Sequence, residues 1–364
     1  MGGRDNRLID RYDSEAMEQA VSNGKVLNRD QRADGNSKPT DERTGVHRLT
    51  FLFVAAFAYA VYFRPHEFYP DVPVINSLPT FTAAGALVSF LVTELMNGGS
   101  SRKFPTEVKC VLVMTAFALL TMPIARDPAL AWKTFNDLWL PLVLVFFVTA
   151  NVLTSLRRIK ILMLLGVAIG VYLSYQTYDL YSRGIFAIDG YRVAVNFGGM
   201  FGNPNDMATH LVVFMPIAIC IAVSSRYLFF KAALLSCAGI MLVAIVISQS
   251  RGALIGIAIA SVAYIMRLKG RRRNSAIFIV ATALLLVIVF APGDYGTRLF
   301  SIFDSSLDNT GSHHERQEAL SRSLIVTARN PLGLGMGNSI MFGPRSLQTH
   351  NAYTQVSSEL GWIA

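Results

Sequence analysis

The chain has 364 residues, 52% of them hydrophobic and only 16% charged, with a formal net charge of +9. Soluble globules carry about a quarter of their residues charged, so this composition excludes that class and describes a polytopic membrane protein. The apolar runs are continuous rather than alternating, which favours an all-α transmembrane helical bundle over a β-barrel.

In chain order, residues 1–48 come first and differ from all that follows. They are polar, mixed in charge and lack the apolar core of a signal peptide, so a disordered cytoplasmic tail is expected. Residues 49–364 read as the transmembrane domain. Apolar runs long enough to cross a hydrocarbon core, which takes about 17–25 helical residues, fall near 49–63, 76–96, 107–122, 134–151, 159–178, 205–223, 227–247, 252–266 and 275–291. With the tail inside, the inner connections carry thirteen basic residues, including Arg267, Lys269, Arg271, Arg272 and Arg273, against six on the outer side. The positive-inside rule supports that orientation. Cys110, Cys220 and Cys237 lie in apolar runs without ligand-like spacing, and buried free thiols are expected.

The run from Ala232 to Met266 contains a single charge, Arg251. One continuous helix of that length would extend about 52 Å at 1.5 Å per residue, far beyond one bilayer core. Two helices joined by a tight turn at "SQSR" solve the length problem and put Arg251 at the outer mouth of a hairpin, where a guanidinium reaches water and anions. Gly252 and Gly256 form a GxxxG expected to let the second helix approach a neighbour closely.

Two longer connections lie on the outer side. The first contains "YRVAVNFGGMFGNPNDMATH", in which Asn203, Pro204 and Asp206 form a helix start and Arg192 has no capping task. The second is a large loop, about 292–350. Ser312 and Glu315 read as a capping box opening an amphipathic helix, with Leu320, Leu324, Thr327 and Ala328 at helical spacing until Asn330-Pro331. His313, His314 and Glu318 do not make a metal site, because adjacent histidines on a helix diverge. Gly333, Gly335 and Gly337 mimic a phosphate loop, but no strand precedes them, so they read as turns. His350 and Asn351 stand where the loop enters the next apolar helix, a place where histidine more often caps than catalyses.

Four stretches, "YRVAVNFGGMFGNPNDMA", "SQSRGALIG", "SHHERQEAL" with "NPLGLGMGN", and "THNAYTQVSSELGW", resemble in order and spacing the bacterial O-antigen ligase and polysaccharide polymerase superfamily. The resemblance covers about residues 190–361. It implies a multi-pass inner-membrane enzyme, without metal or other cofactor, that transfers a glycan from undecaprenyl diphosphate to an acceptor hydroxyl at the periplasmic face. Lipid A core sugar is the acceptor expected of a ligase; an O-antigen or exopolysaccharide polymerase would use the same donor. By motif position Arg192, Arg251 and Arg316 are implied to bind the donor diphosphate and His350 to be catalytic, with Asn203, Asn205, Ser250 and Asn351 in support. Family members have more spans, so closing helices are expected beyond Ala364. The implied partners are the lipid-linked glycan, the acceptor and the bilayer, with no nucleic acid.

The chemistry agrees with the residue types. Breaking a sugar C1 to phosphate bond leaves a diphosphate whose charge needs a metal or fixed cations, and arginine is permanently charged and binds phosphate oxygens in pairs. A transporter or flippase would also use arginines, but near mid-membrane and on discontinuous helices. A structural scaffold would explain the hydrophobicity but not the conjunction of motifs.

Overall fold

The computed structural model describes residues 47–65, 71–98, 103–186, 192, 193, 195, 199–290, 312–342 and 351–362. The chain divides after Arg48, and the helical bundle belongs to the unit Leu49–Ala364. The expected tail lies almost wholly outside the described residues.

All nine expected spans fall on helices: α1 (Arg48–Phe63), α3 (Leu78–Met96), α4 (Thr106–Thr121), α5 (Pro128–Val152), α6 (Leu156–Ser182), α7 (Pro204–Ser224), α8 (Leu228–Ser248), α9 (Arg251–Arg267) and α10 (Arg271–Phe290). A four-residue helix, α2 (Pro73–Asn76), leads into α3. Among the described residues, α3, α4 with its short 3-10 extension, α5, α7 and α8 are each long and apolar enough to cross a membrane. The molecule is an all-α polytopic bundle. Two further helices, α11 (Ser312–Arg329) and α12 (Ala352–Leu360), follow α10.

Local chemistry explains most boundaries. Asp127 caps α5 by accepting from Leu130 N at 3.0 Å, and Pro128 occupies the first turn. This start lies six residues before the expected 134, so Lys133 sits on the helix instead of in the connection. A π-helical turn at Phe135–Trp139 carries the helix through Asn136 and Asp137. Ser155 and Asn203 cap α6 and α7 in the same way.

The main core lies between α6, α7 and α8, around Leu173, Met207, Leu211, Met241 and Ile245. Glycine permits the approach, but mostly not the pair expected. A Cβ on Gly166 would stand 2.0 Å from the Phe214 ring, and one on Gly170 would stand 2.7 Å from Met241 Sδ. On α9, Gly256 meets Val212 of α7 at 3.2 Å, whereas Gly252 faces open space. The close-packing GxxxG is therefore on α6. A second core joins α1, α3 and α5 through Phe51, Phe90 and Val152. There Arg158 is buried, donating to Val152 O at 2.8 Å and lying 5.6 Å over the Phe51 ring, so one of the basic residues counted for orientation has a packing task.

The thiols depart from expectation: Cys110 and Cys220 are exposed and Cys237 is half-buried. An apolar position in a membrane bundle faces either a neighbour or lipid, and the pattern of apolar residues alone does not separate the two.

Candidate functional site

The run containing Arg251 is broken as its length requires. Helix α8 ends at Ser248, Gln249 turns the chain in the left-handed region at φ 52°, and α9 begins at Arg251. Ser248, Gln249 and Ser250 are all buried, so this tight turn is packed into the bundle. What covers it includes Arg192, itself only 7% exposed.

Two of the contacts that fix Arg192 are hydrogen bonds to neutral oxygens. Its Nη2 donates to Asn205 Oδ1 at 2.8 Å and its Nε to the Ser248 carbonyl at 3.4 Å. Ser250 Oγ donates to the same Asn205 oxygen at 3.1 Å. Ser250 stands at the N-cap of α9, where a serine hydroxyl ordinarily accepts from the helix, yet here it makes no such cap. Asn203 Oδ1 accepts from Asn205 N at 2.8 Å and thereby fixes the first turn of α7. Beneath, Leu180, Val193 and Ile247 form an apolar seat joining the ends of α6 and α8.

The structure thus joins four expected residues, Arg192, Asn203, Asn205 and Ser250, in one hydrogen-bonded group, with half-buried Arg251 next in the chain. These two bonds orient a guanidinium, which is permanently charged and planar. That arrangement suits recognition of phosphate oxygens.

A second polar group forms around α11, α12 and the loop between them. Asn351 caps α12, accepting from Tyr353 N at 3.0 Å and Thr354 N at 3.3 Å. His350 lies outside the described residues. Arg316 is exposed on the second turn of α11. The buried side of α11 is Ala319, Ser323 and Val326, while the expected Leu320 and Leu324 are exposed. Small residues let α11 lie close to α12, and the larger ones point away.

The glycine loop is a set of turns. Gly333, Gly335 and Gly337 all have positive φ, and a Cβ on Gly337 would stand 2.3 Å from Thr134 Oγ1. Its N–H groups are already engaged: Leu334 N donates to Ser358 O and Gly335 N to Glu359 O, both at 2.9 Å. Gly337 N donates to the Glu359 carboxylate at 2.9 Å, and Ser339 Oγ to the same carboxylate at 2.5 Å. Glu359 is 7% exposed and organises the loop, a role that sequence reading missed. A lone acid in the apolar helix "QVSSELGW" was the available signal. Asn338 ties this loop to the start of α5 by accepting from Asp127 N at 2.9 Å, and Arg126 N donates to Leu334 O.

His210 also escaped notice. It is buried in α7, with a ring nitrogen 3.2 Å from Gly166 O and its ring packed on Phe214, and it fastens α7 to α6.

Residues 236–364 match the family model described as O-antigen ligase. The matched stretch includes Ser250, Arg251, Arg316, His350 and Asn351, whereas Arg192, Asn203 and Asn205 precede it. Comparison with curated proteins and with solved structures gives no match.

Proposed function

We propose that this O-antigen ligase-like membrane protein is a glycosyltransferase that moves a glycan from undecaprenyl diphosphate to an acceptor hydroxyl at the periplasmic face. The observation that carries the reading is the hydrogen-bonded group in which Arg192 and Asn205 meet Ser250 beside Arg251, the last two of which fall inside the O-antigen ligase match. One crossing per long helix supports a shared face: the connections after α4, α6 and α8 then emerge on one side, with Arg192 and Arg251 among them. The basic connections 225–227 and 268–270 emerge on the other, which by the positive-inside rule is cytoplasmic.

In the proposed step the acceptor oxygen attacks C1 of the donor sugar as the C1–O bond to phosphate breaks. The bonding pair leaves with the carrier diphosphate, and direct attack inverts the anomeric centre. Arg192 and Arg251 stabilise the charge gained by the leaving oxygens, without need of a metal. Arg316 adds a cation from the large loop. His350, adjacent to the Asn351 cap, takes the proton of the acceptor hydroxyl. Asn205 and Ser250 position Arg192.

The acceptor proposed is a lipid A core sugar, in keeping with the family description. Cells lacking the protein are expected to accumulate carrier-linked polymer that never reaches lipopolysaccharide. Glycans arrested at a single repeat would instead make it a polymerase, and unchanged glycans would dismiss both.

A further inference from the structure

From the middle of the bundle to the end remote from Arg251, helices α7, α8, α9 and α10 leave a crevice of about 1070 Å³. Its walls are apolar, including Ile219, Val223, Tyr264 and Ile279, while Arg271 and Arg272 line it at the start of α10. Its lining runs down α9 from Ile257 to Leu268, so its upper end lies about 9 Å, and its basic end about 25 Å, along the helix axis from Arg251 at 1.5 Å per residue. It is a different place from the proposed transfer site.

Charge decides what fits. Between Asp206 and Asp294 the sequence contains no acidic residue. The two connections at this end and the helical turns beside them carry Arg226, Lys231, Arg267, Lys269, Arg271, Arg272 and Arg273. Three of these arginines stand in the first turn of α10, where the helix dipole favours an acid. Positive charge accumulated without local carboxylates, directly above an apolar crevice, is complementary to an amphiphile with an anionic head.

We propose that this crevice seats one anionic phospholipid, its phosphate on Arg271 and Arg272 and its acyl chains between α7, α9 and α10. Paired guanidinium groups match the oxygens of a phosphodiester, and desolvating the chains against Ile219, Val223 and Ile279 adds apolar burial. A surface cluster of basic residues attracts anionic lipid in general; the crevice makes the attraction stoichiometric.

The test is native mass spectrometry of the full chain in detergent, titrated with phosphatidylglycerol or with phosphatidylcholine of the same acyl chains. The wild type is expected to retain one phosphatidylglycerol at least tenfold more tightly than phosphatidylcholine. The exposed double substitution Arg271→Gln, Arg272→Gln should abolish that preference. Ser261→Trp, or Ile279→Trp if the first variant fails to elute as a single species, fills the crevice with both arginines intact and should lose the bound lipid. Equal retention of the two lipids by the wild type would overturn the proposal. So would a filled crevice that still prefers phosphatidylglycerol, since the effect would then be surface charge alone. A doubled mass that phosphatidylglycerol does not dissociate would assign the face to a second copy and reject the lipid.

Discussion

The hairpin mouth and the glycine loop are both polar knots at helix ends, and each fixes a charge of opposite sign. At the mouth, neutral oxygens of Ser248 and Asn205 fix the Arg192 cation. In the loop, the Gly337 N–H and the Ser339 hydroxyl fix the Glu359 anion. By sequence the loop is the better imitation of a phosphate cradle. Its donors, however, are already engaged by the Ser358 and Glu359 carbonyls and the Glu359 carboxylate, which is why the diphosphate is proposed to bind at the arginines instead.

The largest expected effect separates the two regions by activity. Arg192→Ala should lower glycan transfer by about 10²–10³-fold, the usual size for losing one fixed donor to developing charge. Glycan transfer measured with membranes matched for protein content checks it, and transfer within threefold of wild type would remove the mouth from the mechanism.

Glu359→Ala should act on stability instead. The half-buried Gly337 N–H and the buried Ser339 hydroxyl lose their partner, and a charge-assisted hydrogen bond contributes about 1.5–3 kcal/mol, so thermal unfolding in detergent should move down by several degrees. Carrier affinity should stay unchanged. A loss of carrier affinity without a shift in unfolding would reverse the roles given to the two regions.

Smaller effects sharpen the picture of the mouth. Asn205→Ala removes the oxygen shared by Arg192 and Ser250, and transfer should fall about tenfold, near the 1.4 kcal/mol cost of one good hydrogen bond to a charged group. Asn205→Asp retains the oxygen but neutralises the field of Arg192, so it should not rescue. Ser250→Ala should cost least, about threefold to fivefold in transfer, the size of one neutral hydrogen bond. Equal effects of Asn205→Ala and Ser250→Ala would show that Arg192 does not depend on the shared oxygen.

The helical bundle was legible because membrane helices announce themselves by apolar length and by caps such as Asn203-Pro204. The break at Gln249 followed from length alone. Pairing between distant segments was not legible: Asn205 and Ser250 are 45 residues apart, and nothing local in either predicts the contact. Glycine spacing misled in part, since "GALIG" on α9 and "GVAIG" on α6 look alike and only the second has both glycines against side chains. The role of Glu359 was hidden for a related reason. A carboxylate near the end of an apolar helix reads as a snorkelling surface residue until the turns that fold over it are known.

Binding of sugar-free undecaprenyl diphosphate to the purified chain, wild type against Arg251→Lys, tests the central claim most directly. Lysine keeps the charge but not the planar fork, so affinity should weaken at least tenfold, about 1.4 kcal/mol, while the protein remains folded in detergent. Wild-type affinity in a well-folded Arg251→Lys protein, with affinity also unchanged in Arg192→Ala, would contradict the assignment of the diphosphate to the hairpin mouth.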